Sequence, residues 1–445
     1  MDTLDKLGLL SSQMSLEPAE EADSLRQPTV APPDGFGAAS APAPPRALRE
    51  ARDAAYRVDP GPGGRAPCGH SPAELQRALH ALTRGGGDPA PSLERKKHSL
   101  GVTYAAMPGG KKIALLKTLL TSACERDCYY CPFRARRNFR RATFRPDEMA
   151  GVFAQMHAAG VAEGLFLSSG IAGGGVRTQD RLIDTAEILR RKHHYTGYLH
   201  LKLMPGLEQD QLLRAMQLSD RVSINLEAPN TERLRRLAPH KIFLEELLQP
   251  LKWADHIRRT VAPHSTHNGR WPSLVTQLVV GGAGEDDLEI LSTTAYLTRQ
   301  LRLARVYFSA FHPVPETPLE GLPPENPWRE HRLYQASFLL RDYGFGLEDL
   351  PFTPERRLPL GIDPKLAWAE QNLADAPVEV NRADRAALLR VPGLGPQAVA
   401  AILDARRRGV LRDLRDLRAL GIRAERAAPF ILLAGRQPAR QLRLF

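Results

Sequence analysis

From Ile113 onward, dense apolar runs of strand length alternate with longer stretches in which apolar residues recur every three or four positions. The short runs read as buried strands and the longer stretches as amphipathic helices. Strands are expected at 113–121, 164–169, 198–204, 221–227, 274–280 and 305–311, with helices at 146–159, 179–192, 208–218, 243–261 and 286–301 between them. Six strand–helix repeats imply a parallel sheet with right-handed crossovers, closing as an open or partial barrel. After Pro313-Val314-Pro315 a further helix is expected at 327–343, then a Pro-rich link to Asp363-Pro364-Lys365. From about Pro377 the pattern is helical throughout, and no repeat of solenoid type is present.

The pattern is absent near the start. Residues 27–67 hold nine Pro among Ala and Gly, and no apolar face passes through them. Such a segment cannot bury enough surface to offset its ordering entropy. A short helix at 72–83 and a Gly/Pro linker follow, and two apolar stretches around Pro108-Gly109-Gly110 read as a hairpin. The expected division is a disordered Pro/Ala/Gly-rich region at 1–70, an N-terminal extension at 71–110, the α/β barrel at 111–320, a connecting helical region at 321–375 and a small all-α domain at 376–445.

Composition narrows the class. With 42% hydrophobic residues among 445 there is matter for a large core, yet the apolar runs fall far below the ~18 residues of a membrane span. Residues 1–16 lack a basic start followed by an apolar stretch, so no secretory signal is expected, and the cytoplasm is the expected location. The net charge is +11, and residues 376–445, with 14 Arg, no Lys and six acids, account for +8 of it. A basic terminal domain points to nucleic acid; an arginine-rich solvated face is the plainer alternative.

Four cysteines exclude a disulfide-built scaffold, and three of them, Cys124, Cys128 and Cys131, fall within eight residues. A CxxxCxxC loop at a strand end lets three thiolates point into one volume, which suits three iron corners of a cubane and leaves the fourth iron open. Zinc is the competing reading and requires a fourth ligand such as Cys68 or His70.

This loop, TSACERDCYYC, with Tyr130 before the last Cys and at the end of the first barrel strand, resembles the radical S-adenosylmethionine superfamily. The resemblance implies that Cys124, Cys128 and Cys131 hold a 4Fe-4S cluster whose free iron chelates the methionine moiety of S-adenosylmethionine. One electron then cleaves the sulfonium and gives a 5′-deoxyadenosyl radical that abstracts a hydrogen atom. Ser168, Ser169 and Gly170 occupy the place of the superfamily's GGE-like element, without its acid. Ser223, Asn225 and Glu227 share one side of the fourth strand by the period-2 rule and read as ribose and methionine contacts, with solvated barrel polars as the alternative. Lys202 is placed to meet a carboxylate or a substrate phosphate, and Gly281-Gly282 resembles the element that packs on adenine.

Two further features concern nucleic acid. Arg134, Arg136, Arg137, Arg140, Arg141 and Arg145 lie within 12 residues around Phe139, with no acid among them. They read as a phosphate-gripping loop with an aromatic for base stacking, or as a hydrated loop screened by counterions. Toward the end, Arg390-Val-Pro-Gly393-Leu394-Gly395 joins two helices in a pattern similar to the helix-hairpin-helix motif, with a degenerate second copy at 414–428 around Gly421. The motif implies that backbone amides at its glycines hold a DNA phosphate, with Arg390, Arg406 and Arg407 adding charge. Such hairpins also dock proteins.

Together with RRATFRPDEMA, LFLSSGI, GYLHLKLMPG, SINLEAPN, RVYFSAF and DPKLAWA, these motifs resemble the DNA modification/repair family of radical S-adenosylmethionine proteins over roughly 111–435. The sequence departs from that family near its start, where the family carries a cysteine-containing opening segment and only Lys6-Leu-Gly-Leu-Leu10 faintly resembles it here. The resemblance implies a partial (β/α)6 TIM-like barrel with a helix-hairpin-helix domain, acting on DNA. Its implied partners are DNA, an external electron donor such as flavodoxin or ferredoxin, and a DNA-repair protein, with no membrane. The alternatives are a radical enzyme modifying tRNA and a DNA-bound Fe-S redox protein that leaves S-adenosylmethionine intact.

Overall fold

The structure, a computed structural model, describes residues 3–14, 101–106 and 112–438. Its contacts divide into two compact units. Of the described residues, 3–14, 101–106, 112–285 and 301–325 belong to the first and 286–300 and 326–438 to the second.

The first unit is built on a curled, half-barrel sheet. Among the described residues, strands β1 (Val102–Ala106), β2 (Lys112–Leu119), β3 (Gly164–Ser168), β4 (Leu199–Lys202), β5 (Arg221–Ser223), β6 (Ser273–Val280) and β7 (Arg305–Ala310) lie side by side in sequence order. β1 pairs antiparallel with β2, as the hairpin reading expects, and every later pair is parallel. All residues of β3 and β4 are buried; β3 therefore reads as a continuous apolar run, whereas β4 alternates and buries the polar His200 and Lys202 as well. Helices α2 (Pro146–Ala158), α3 (Gly175–Glu187), α4 (Gln209–Leu218), α5 (Thr231–Leu237) and α6 (Gln249–Thr260) lie between the strands in the chain. Pro146 opens α2, where its missing N–H costs nothing, and Asp147 and Glu148 complement the helix dipole.

Several expectations are corrected here. Residues 3–14, read as disordered, form helix α1 (Thr3–Met14): Leu7, Leu10 and Met14 make a buried stripe, and Lys6 pairs with Glu148 at 2.8 Å. The Pro-rich composition that suggested disorder begins only after this segment. The expected strand at 221–227 stops at Ser223. Beyond it the Thr276 hydroxyl replaces the ladder, donating to the Ile224 carbonyl at 2.7 Å and accepting from the Leu226 amide at 3.1 Å. The expected helix at 72–83, the turn at 108–110, Cys68 and His70 lie outside the described residues.

The second unit contains α7 (Asp287–Arg299), α8 (Pro327–Asp342), α9 (Pro364–Asn372), α10 (Arg385–Arg390), α11 (Pro396–Ala405) and α12 (Leu414–Ala419). The Pro-rich link leads into α9, where the Asp363 carboxylate accepts from the Lys365 and Leu366 amides. The terminal region is not wholly α-helical: β8 (Val378–Glu379) and β9 (Ile431–Leu432) pair in parallel, beside fully buried Val380 and Ile431. α10 and α11 close over a core of Leu388, Leu394, Val399 and Ile402. No helix among the described residues is long and apolar enough to cross a membrane.

Candidate active site

The cysteines lie on a loop leaving β2 that is closed by its own backbone and one arginine. Thr121 bridges to Thr143 through hydroxyls 2.6 Å apart, and Ser122 and Ala142 exchange two hydrogen bonds of 3.0 Å. Inside this ring the Arg141 guanidinium donates to the carbonyls of Ser122, Phe133, Arg134 and Arg137 at 2.7 to 3.3 Å, and stacks 4.1 Å from the Phe139 ring centre. The Glu125 amide donates to Ile171, and its carboxylate accepts from the Gly173 and Gly174 amides at 3.0 and 3.1 Å. This ties the loop to the segment after β3.

Gly170 is the closest approach between the two. Its amide donates to the Thr121 carbonyl at 2.7 Å, and a Cβ at this position would collide with the Ala123 carbonyl. Backbone rather than a flexible side chain blocks that space. Gly170→Ala is therefore expected to displace the cysteine loop and cost about 1–3 kcal/mol, with iron bound per chain falling relative to the unaltered protein. Full iron content at unchanged stability contradicts this role.

Cys128 is buried, and Cys124 and Cys131 are half-buried. Burial pushes the Cys131 thiol well above its ordinary pKa, and the charges of Cys128 and Cys124 push it further. Burial also raises Cys128, against the pull of the Lys241 ammonium. Cys128 and Cys131, whose ionisation burial opposes, fit a cationic centre, because metal binding takes the thiolate form and reverses that penalty. Among the described residues no three His, Cys, Asp or Glu side chains are arranged to hold a single metal ion. The trio fits a 4Fe-4S cluster by donor chemistry and by its single-loop origin, with Cys124, Cys128 and Cys131 as the ligands.

Beside them stands a group that sequence reading missed. Lys241 donates to the Glu227 carboxylate at 3.0 Å, with side chains 9% and 6% exposed. Burial works against the Lys241 charge, but Cys128 and Glu227 outweigh it and hold the ammonium above the usual lysine range. Tyr130 also hydrogen-bonds Glu227; burial first, then that carboxylate, raise its hydroxyl well above the usual tyrosine value. Glu227 has φ +64°, a left-handed backbone held by its amide on Gln277 and its carbonyl on the Val279 amide.

The other expected cofactor residues occupy these places. Ser168 is buried at the end of β3, and the Ser169 hydroxyl donates to the Gly170 carbonyl. Lys202 donates to the Asn225 side chain at 2.6 Å, and Ser223 bonds to His200 at 2.8 Å. Ser223, Asn225 and Glu227 thus meet side chains of β4 and the loop after α5. The Gly281 amide, at φ +93°, donates to Glu285, whose second oxygen accepts from Ala283 at 3.1 Å.

Among the arginines near the cysteines, Arg141 is spent inside the loop. Arg137 donates to the Pro132 and Pro315 carbonyls, both at 3.0 Å. Arg136 and Arg140 are exposed. In the second unit Arg390 makes two 2.9 Å bonds to Asp349 and lies 4.7 Å from the ring centres of both Phe345 and Trp368. Arg406 donates to the Val380 and Ala383 carbonyls, while Arg407 is exposed. Arg137, Arg141, Arg390 and Arg406 are therefore occupied in holding the fold, which the expectation of phosphate contacts did not foresee. Leu394 is buried beneath the hairpin turn, Gly393 is exposed and Gly395 caps α11.

Residues 118–294 match the family model described as the Radical SAM superfamily. The chain thus contains a radical S-adenosylmethionine domain, around the cysteine loop and the strands just described. It is an enzyme that cleaves S-adenosylmethionine by a radical mechanism and uses a 4Fe-4S cluster. No curated protein matches the chain. Solved structures similar to it include methylornithine synthase (PylB), at 15% identity and TM-score 0.41, covering 61% of this chain and 69% of that one. Another is the FeFe-hydrogenase maturase HydG from Carboxydothermus hydrogenoformans, at 14% identity and TM-score 0.39, covering 60% and 63%. The chain spans less than two thirds of the HydG maturase.

Proposed function

We propose that the enzyme acts on nucleic acid, and that its substrate is duplex DNA undergoing modification or repair. The observation that carries this reading is the α10–α11 hairpin. Gly393 is exposed at φ +83°, a conformation that favours glycine, and α11 begins at Gly395 with no side-chain cap. The amides of its first turn are donors that a helix leaves for an outside acceptor such as a phosphate. A cleft of about 400 Å³ lies against this turn, lined by Tyr343, Lys365, Gly393, Gly395 and Arg426 among others. Lys365 donates to the Leu394 carbonyl at 2.7 Å. Burial lowers its pKa to about 7, opposed by Asp363 and assisted by Arg426. A phosphate in the cleft would restore the full ammonium charge.

When bound, the cluster supplies one electron to the sulfonium of S-adenosylmethionine, which starts hydrogen abstraction from the substrate. This chain's residues position that event: Arg141 and the Thr121–Thr143 bridge hold the ligand loop, and Gly170 lets the segment after β3 close against it. The electron comes from an external donor of the flavodoxin or ferredoxin class.

Fluorescence anisotropy with a labelled DNA duplex, competed by unlabelled tRNA over a salt series, tests the substrate. Duplex affinity is expected to fall with salt, log K dropping by ~0.9 per phosphate contact for each decade. Gly393→Val is expected to weaken it about tenfold or more, by the strain of a branched residue at positive φ. Displacement of the duplex by equimolar tRNA would shift the reading to RNA modification, and salt-independent binding would remove it.

A further inference from the structure

We propose that the buried Lys241–Glu227 pair sets the reduction potential of the cluster, with Lys241 favouring the reduced state and Glu227 anchoring the ammonium and offsetting part of its field. The pair is fixed relative to the ligand loop from both ends. Tyr129, between Cys128 and Cys131, donates its amide to the Leu237 carbonyl at 2.7 Å. Arg126 donates to the His240 carbonyl at 2.6 Å, and the His240 ring meets Asp127 at 2.8 Å. Residues 126–129 and 237–240 are thus laced together, and Lys241 follows directly, its amide turned back onto the Ala238 carbonyl at 3.0 Å. The Glu227 backbone is pinned by β6 through Gln277 and Val279, independently of the lysine.

Lys241 follows directly on His240, which Arg126 and Asp127 of the ligand loop hold at its carbonyl and ring, so the pair is anchored beside the cysteines. A cluster with three thiolate ligands gains negative charge when it takes up an electron. A fixed cation beside it in a poorly hydrated pocket stabilises that state, and charge and hydrogen bonds at the sulfurs are established determinants of such potentials. The step is a one-electron transfer from an external reductant to the oxidised cluster; no bond is made or broken and no proton moves. Lys241 is thus a positioning residue for electron entry rather than a catalytic one.

The test is an electron paramagnetic resonance redox titration of the full-length protein, reconstituted without oxygen and reduced with dithionite, with iron and sulfide measured on each sample. Lys241→Met is expected to lower the reduced-to-oxidised ratio at a given potential by tenfold or more, a downward move of 59 mV or more for one electron. Glu227→Gln is expected to move the potential the opposite way, because the ammonium's field is no longer offset. Lys241→Arg keeps the charge and is expected to stay within about twofold of the unaltered ratio. A purely structural pair would lose cluster without this pattern of signs. Unshifted potentials in both Lys241→Met and Glu227→Gln, or shifts of the same sign, overturn the proposal. If Lys241→Met assembles no cluster, Glu227→Gln decides alone: an upward shift supports the proposal, and an unchanged or lower potential overturns it.

Discussion

Replacing Cys124, Cys128 or Cys131 singly with Ala is expected to abolish the visible iron-sulfur absorption of the reconstituted protein and to drop 5′-deoxyadenosine formation to the detection limit. Each thiol holds one corner of the cluster, and among the described residues no group of His, Cys, Asp or Glu is arranged to hold a metal ion in its place. The loss is expected to be chemical rather than conformational. The loop is closed by the Thr121–Thr143 bridge and by Arg141, neither of which involves a sulfur. Stability of the cluster-free variants is therefore expected within about 1 kcal/mol of the cluster-free parent, since one small buried side chain is trimmed. Retained absorption and turnover in all three variants would be incompatible with these ligands.

Asp287→Ala is expected to be the most destabilising substitution in the second unit, by about 3–5 kcal/mol in urea denaturation of the full chain. Arg329 and Asp287 meet at 2.7 Å with side chains 2% and 1% exposed, and the other Asp287 oxygen accepts from the Leu358 amide at 2.7 Å. Removing the carboxylate leaves a guanidinium in the interior with its principal counter-charge gone and a backbone donor without its acceptor. Adding Arg329→Met to the same chain is expected to recover part of the loss, because no unpaired charge is then buried. A cost under about 1 kcal/mol for Asp287→Ala, or a double variant weaker than both singles, contradicts this account.

The barrel strands and the ligand loop were legible because both are local patterns. A buried parallel strand is a short apolar run, and three cysteines in one loop are visible in a dozen letters. What was hidden depends on chain segments meeting. Lys241 comes from a loop whose neighbour His240 touches Asp127 across 113 residues, and nothing in the letters His240-Lys241 signals a charge beside a thiolate. The arginine stretch shows the converse limit. Composition counts guanidinium groups but not carbonyls, so Arg141, with four backbone acceptors, looked the same as exposed Arg140. Arg390 was likewise read as a phosphate contact, although its Asp349 partner lies 41 residues away. Helix α1 escaped notice because its stripe of Leu7, Leu10 and Met14 is short and adjoins a long Pro-rich segment.

The substrate is tested most directly by isotope transfer. The reconstituted protein is incubated with S-adenosylmethionine, dithionite and a perdeuterated DNA duplex, and the 5′-deoxyadenosine formed is weighed by mass spectrometry. The account predicts that nucleoside one mass unit heavier accumulates with the labelled duplex and not with its unlabelled counterpart. Light 5′-deoxyadenosine with the deuterated duplex, alongside label uptake from deuterated tRNA or from neither, would contradict it.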